Sequence, residues 1–137
     1  MRDRQAVKSC MASPRTHVAI VDDDAAVRKA LGRLLRVSAF DAATYGSARE
    51  FLASLNMRVP QCLLVDLHMP DMTGLELQRH LARANIDIPT IVITAHDEPG
   101  TRELCMGAGA KAYLVKPILD IPLISAINDA VGPRSAV

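Results

Sequence analysis

The sequence predicts a three-layer α/β domain, a five-stranded parallel sheet flanked by five helices in a doubly wound arrangement. Three observations carry that expectation. Four short apolar runs and a weaker strand signal recur along the 137 residues, the runs with little alternation of polar positions, the pattern of strands buried on both faces. Between them apolar residues return at helical spacing, so the order reads βαβαβαβαβα. The length suits one domain whose core needs neither metal nor disulfide.

Val18-Ala-Ile-Val21 is the first strand, and it stops at Asp22-Asp23-Asp24. Val27, Ala30, Leu31, Leu34 and Leu35 then lie on one helical face, with Asp24 placed to cap a helix starting near Ala25. A weaker strand signal runs from Asp41 to Tyr45, followed by Ser47-Ala-Arg-Glu50, which matches a capping box. Ala48, Phe51, Leu52 and Leu55 form the second stripe. Cys62-Leu-Leu-Val65 is the third strand and stops at Asp66. After a loop with Pro70 and Gly74, Leu77, Leu81 and Ala84 mark the third helix. Thr90-Ile-Val-Ile93 stops at Thr94. Pro99, Gly100 and Gly107 make the next helix short and weakly stabilised by itself. Ala112-Tyr-Leu-Val115 ends at Lys116-Pro117. Asp120 is the expected cap of the last helix, with Pro122 in its first turn and Leu123, Ile127, Ala130 and Val131 as its stripe. Residues 1–16 and 132–137 read as poorly ordered tails, leaving 17–131 as the domain.

Composition narrows the function classes. With 16 Lys+Arg against 15 Asp+Glu the net charge is +1, which offers no broad attraction for nucleic acid or anionic lipid. Two Phe, two Tyr and no Trp leave little with which to stack bases. Cys10, Cys62 and Cys105 form neither a CxxC nor a Cys/His cluster. The start of the chain lacks the apolar core of a signal peptide, and no run approaches the roughly 20 residues of a membrane span. These features predict a soluble, reduced, cytoplasmic domain.

The chemistry-bearing residues sit where strands end. Asp22 and Asp23 follow the first strand, Asp66 the third and Thr94 the fourth, while Lys116 ends the fifth. In an open parallel sheet the carboxyl ends of the strands form the ligand edge, so these side chains should converge. Helix capping explains Asp24 but not Asp66 or Lys116, whose following loops contain proline. Three clustered carboxylates repel one another and call for a cation, and an all-oxygen set that keeps water favours Mg²⁺. A carboxylate between that ion and a lysine can attack phosphorus, while the cations offset the charge of the transferring group. Thr94 could donate a hydrogen bond to a phosphoryl oxygen.

Val21-Asp22-Asp23, Asp66-Leu-His-Met69-Pro70-Asp-Met-Thr-Gly74, Thr94-Ala95 and Lys116-Pro117 together resemble the receiver domain of bacterial two-component response regulators, over about 17–130. The likeness is greatest to FixJ-type receivers, through VDDD.AVRKAL, DLHMPDMTGLEL and IPTIVITAH. The resemblance implies the flavodoxin-like receiver fold. It makes Asp66 the phosphoacceptor, supplied by a sensor histidine kinase, a phosphotransfer protein or a small donor such as acetyl phosphate. It assigns Mg²⁺ to Asp22, Asp23, Asp66 and the backbone carbonyl of His68. Thr94 and Tyr113 resemble the paired switch residues, and Lys116 the phosphoryl-contacting lysine, with a cis bond to Pro117. Homodimerisation through the face of the fourth helix, fifth strand and fifth helix also follows from the resemblance.

Plainer roles compete at several positions. His17, His68, His80 and His96 follow no ligand spacing, although His68, two residues after Asp66, is placed to overhang the pocket and tune phosphoryl lifetime. Tyr113 could be simple strand packing, and Met69 and Met72 loop packing. The family pattern is least well kept between Asp97 and Gly107. FixJ-type regulators carry a C-terminal DNA-binding domain, and the sequence ends six residues past Val131. The expectation is a stand-alone, non-enzymatic receiver, with a fragment of a longer transcriptional regulator as the alternative. A Mg²⁺-dependent small-molecule phosphatase is the competing enzyme class, weakened because His68 stands where its acid is expected. A phosphorylation-independent interaction module is opposed by the intact acids and lysine.

Overall fold

The structure, a computed structural model, describes residues 15–132. Its strands are β1 His17–Val21, β2 Asp41–Tyr45, β3 Cys62–Asp66, β4 Thr90–Thr94 and β5 Ala112–Val115. Its helices are α1 Ala25–Val37, α2 Ala48–Ser54, α3 Gly74–Arg83, α4 Thr101–Gly107 and α5 Asp120–Val131. The strands form one parallel sheet in the order β2-β1-β3-β4-β5.

Strand alternation divides the core into two layers, because successive side chains point to opposite faces. Val18 and Ile20 pack with Cys62, Leu64, Ile91 and Ile93 against Leu31 and Leu35 of α1 and Leu123 and Ile127 of α5. Ala19 and Val21 pack with Leu63, Val65 and Val92 against Ala48 and Phe51 of α2, Leu77 and Leu81 of α3 and Cys105 of α4. Every residue of β1, β3 and β4 is buried, which accounts for their unbroken apolar runs. Edge strand β2 is only half-buried, so its signal in the sequence is weak.

Helix starts follow local chemistry. The Asp24 carboxylate accepts the Ala26 and Val27 amides at 2.9 and 3.4 Å, capping α1 as the sequence predicts. Ala30, expected in the buried stripe, is exposed. Ser47 caps α2 by accepting the Glu50 amide at 3.1 Å, but the Glu50 carboxylate accepts from Gly46, so the reciprocal box is incomplete. The complete box is at α3, where Thr73 accepts from the Glu76 amide and Glu76 from the Thr73 amide. Ala84 is the exposed C-cap of α3 rather than part of its stripe. Asp120 is the first residue of α5, not its cap, and its carboxylate accepts the Ile121 amide. Helix α4 is short, as expected, and starts from Gly100 at φ +84° without a side-chain cap.

The residues expected as tails lie mainly outside the described residues. At the boundary, Thr16 is buried and its carbonyl accepts the Asp41 amide at 2.9 Å. Among the described residues no helix is long and apolar enough to cross a membrane.

Candidate phosphoacceptor site

The chain reverses its winding direction at β1, whose neighbours are β2 and β3, so the crevice between the carboxyl ends of β1 and β3 is the expected binding position. Asp22 follows β1 there, and Asp66 is the last residue of β3. Both are buried, whereas Asp23 is exposed at the rim. The main chain fixes Asp22 closely: its carboxylate accepts the Asp24 amide at 2.9 Å, and its carbonyl accepts from Arg28 Nη1 at 2.7 Å.

Three carboxylates meet in this crevice, with one oxygen each from Asp22, Asp23 and Asp66 all within 4.8 Å of one another. Lys116 closes the opposite side. Its Nζ donates to Asp22 Oδ2 at 2.9 Å and stands 3.5 Å from Asp66 Oδ1. The lysine is placed by its backbone, whose amide donates to the Thr94 carbonyl at 2.7 Å; its bond to Pro117 is cis, as the resemblance implies.

Burial, then the neighbouring charge of Asp22, raises the Asp66 pKa above the ordinary carboxylate value, despite the opposing pull of Lys116. Burial also disfavours the Lys116 ammonium, yet its hydrogen bond to Asp22 and the charge of Asp66 outweigh that effect and raise its pKa. One lysine carries a single positive charge beside three gathered carboxylates. An all-oxygen carboxylate set in a partly open crevice fits a small hard divalent cation such as Mg²⁺.

Gly74 allows the β3–α3 loop to close beneath the site. A Cβ at this position would lie 2.7 Å from the Asp66 carbonyl oxygen and 3.1 Å from Leu67 Cα. The Gly74 amide donates to the Leu67 carbonyl at 3.0 Å, and the Leu67 amide to the Ile93 carbonyl at 2.8 Å. Main-chain contact thus holds Asp66 against β4.

Thr94 is fully buried at the end of β4, and its hydroxyl donates to the His96 carbonyl and accepts the His96 amide, each at 3.0 Å. Tyr113 is buried on β5 and donates its hydroxyl to Asp97 Oδ1 at 3.1 Å. Burial and that hydrogen bond push its pKa up to about 12. The exposed His68 and His96 rings meet edge to face, with centroids 5.9 Å apart. The structure therefore gathers Asp22, Asp23, Asp66 and Lys116 directly, with Thr94 and Tyr113 tied to the adjoining β4–α4 loop.

Arg28, Gly74's close approach to Asp66, and Asp97 were not legible as parts of this arrangement. Arg28 reads as one more helix cation, and Asp97 as a loop acid beside Pro99. The Thr73-x-x-Glu76 spacing was available as a signal for the loop that Gly74 closes.

Fold and site together define an open α/β domain with an acidic, lysine-closed centre on its carboxyl edge. The chain belongs to the response regulator receiver domain family, whose profile matches residues 18–128, and it is a two-component receiver of the FixJ type. It is 42% identical over 113 residues to the transcriptional regulatory protein FixJ of Rhizobium meliloti, covering 82% of this chain and 55% of that protein. Nodulation protein W of Bradyrhizobium diazoefficiens is 39% identical over 116 residues, covering 85% of this chain and 51% of its own. The chain thus spans about half the length of these curated relatives. The crystal structure of FixJ-N superposes with a TM-score of 0.80 at 39% identity, covering 87% of this chain and 95% of that one. A receiver protein from Burkholderia phymatum gives 0.77 at 41% identity, covering 90% and 100%.

Proposed function

We propose that the chain is a phosphorylation-controlled switch in which Asp66 accepts a phosphoryl group from the phosphohistidine of a sensor kinase or phosphotransfer protein. The observation that carries this reading is the approach of the Lys116 ammonium to Asp22 and Asp66 in a crevice that also gathers Asp23. Residues 17–131 form the working domain, in the cytoplasm where such kinases present their phosphohistidine.

An Asp66 carboxylate oxygen forms the new O–P bond as the donor P–N bond breaks, and the departing imidazole keeps the electron pair and takes a proton. Lys116 remains beside Asp66 and balances charge on the phosphoryl oxygens. Asp22, Asp23, Asp66 and the His68 carbonyl would hold Mg²⁺. When bound, the ion supplies positive charge for the phosphoryl oxygens and offsets the repulsion among the acids. Thr94 exchanges its hydrogen bond to His96 for one to a phosphoryl oxygen, and Tyr113 moves with the loop beside it. His68, exposed two residues after Asp66, governs access of water to the acyl phosphate.

The response is read at the face made by α4, β5 and α5. Leu104, Val115, Leu119 and Ile121 are exposed there, and the face would receive an effector or a second copy. Catalysis is confined to the domain's own phosphorylation and hydrolysis. Incubation with acetyl phosphate and Mg²⁺ should add the mass of one phosphoryl group, and Asp66→Asn should not acquire it. An unmodified wild-type chain with both acetyl phosphate and a cognate kinase would overturn the reading.

A further inference from the structure

We propose that Asp97 is a positioning residue that couples the Thr94 loop to Tyr113 and, through Arg102, to helix α4. This inference rests on the phosphoacceptor reading and adds a residue to it.

The coupling is built from five contacts. The Thr94 hydroxyl is bonded on both its donor and acceptor sides to the backbone of His96, so a hydroxyl that turns toward Asp66 must break or drag this closed turn. The next residue, Asp97, accepts the Tyr113 hydroxyl at 3.1 Å. Tyr113 also meets the first turn of α4, because Arg102 Nη1 donates to its carbonyl at 3.4 Å and Arg102 Cζ lies 5.7 Å from the ring centroid. The helix so contacted has seven residues and no side-chain cap, which leaves its position dependent on side-chain ties. Among the described residues, a further side-chain hydrogen bond to the helix is remote from the loop, where Gln78 Nε2 donates to the Cys105 carbonyl at 3.2 Å.

Asp97 is exposed and makes no contribution to the acidic cluster. Its hydrogen bond to the buried Tyr113 is directional, so displacement of the loop acts on the phenol, whereas apolar contact alone would let the ring slide. Tyr113 thereby becomes part of a path from the phosphoryl position to α4 rather than only a core side chain.

Amide hydrogen exchange across Thr101–Gly107 tests the coupling, measured on the full chain with and without acetyl phosphate and Mg²⁺, while mass spectrometry of the same samples counts the adduct. In the wild type, phosphorylation should change exchange in α4. In Asp97→Ala the adduct should form while the α4 change is lost, and Tyr113→Phe should give the same loss. Asp97→Asn keeps an oxygen acceptor and should restore the response. The double variant Asp97→Ala/Tyr113→Phe should lose no more than either single change, as expected for two ends of one contact. A full α4 response in phosphorylated Asp97→Ala, or none in phosphorylated wild type, would overturn the coupling while leaving Asp66 as acceptor. No adduct on wild type would overturn the underlying reading and the coupling with it.

Discussion

Lys116 Nζ donates to Asp22 Oδ2 at 2.9 Å although the two residues are 94 positions apart. Asp22 is completely buried, while the lysine side chain keeps 19% of its exposure. The pair joins the loop after β1 to the end of β5, across the ends of β3 and β4, and leaves the ammonium within reach of Asp66.

Removing that cation leaves a buried carboxylate without its ionic partner. Lys116→Met should therefore lower stability by about 2 kcal/mol in metal-free buffer, toward the low end for a broken buried pair because the lysine is partly solvated. Urea denaturation measures this directly. The same variant should lose phosphoryl uptake from acetyl phosphate, and unchanged uptake would remove Lys116 from the site.

Asp66→Asn should have the opposite effect on stability. Burial and the Asp22 charge raise the native pKa of Asp66, so the folded state favours the protonated form more than the unfolded chain does. That contribution is fully present below the unfolded value of about 3.9 and is lost as pH rises through the native value. At neutral pH the wild type carries the cost of ionised Asp66, which the amide relieves. Thermal melts without divalent ions should place Asp66→Asn above wild type at pH 7, and the gap should shrink toward pH 4 and on addition of Mg²⁺.

Gly74→Ala should disturb the backbone of Asp66 without touching an ionisable group. The new methyl would stand 2.7 Å from the Asp66 carbonyl oxygen, so backbone must shift. A loss of about 1–3 kcal/mol is expected for such overpacking, with slower phosphoryl uptake in the fraction that remains folded. Normal stability together with a normal uptake rate would show that the β3–α3 approach is dispensable.

Tyr113 should ionise late. Its native pKa is pushed up to about 12, so the folded state holds the phenolic proton after the unfolded chain, near 10, has begun to release it. The associated stability is complete below about pH 10 and is lost as pH rises through the native value. Ultraviolet titration should show a late phenolate component that is absent in Tyr113→Phe. A Tyr113 titration at the ordinary value would contradict the buried, Asp97-bonded phenol.

The parts of the fold legible in the sequence are those governed by local pattern. The unbroken runs of β1, β3 and β4 are buried on both faces, and Asp24 caps α1 through neighbouring amides. Misplaced details depend on competition among nearby groups: Glu50 bonds Gly46 rather than Ser47, and Asp120 enters the helix instead of preceding it. At the site, Asp22, Asp66 and Lys116 were legible because strand ends must converge in a parallel sheet. The bond of the loop residue Asp97 to Tyr113 was not, because it depends on the orientation of a tyrosine on β5, which residue spacing does not encode.

The order in which the chain is made adds a consequence to the long-range Lys116–Asp22 pair. Synthesis that has reached β3 has already supplied Asp22, Asp23 and Asp66, yet their counter-charge lies beyond the last strand. A nascent chain halted before Lys116 would carry the proposed acceptor but not its completed environment. Closure of the site therefore requires the segment that follows β5 as well as the two strand ends that carry the acids, so the proposed competence to receive a phosphoryl group belongs to the whole sheet and not to the Asp66 segment alone.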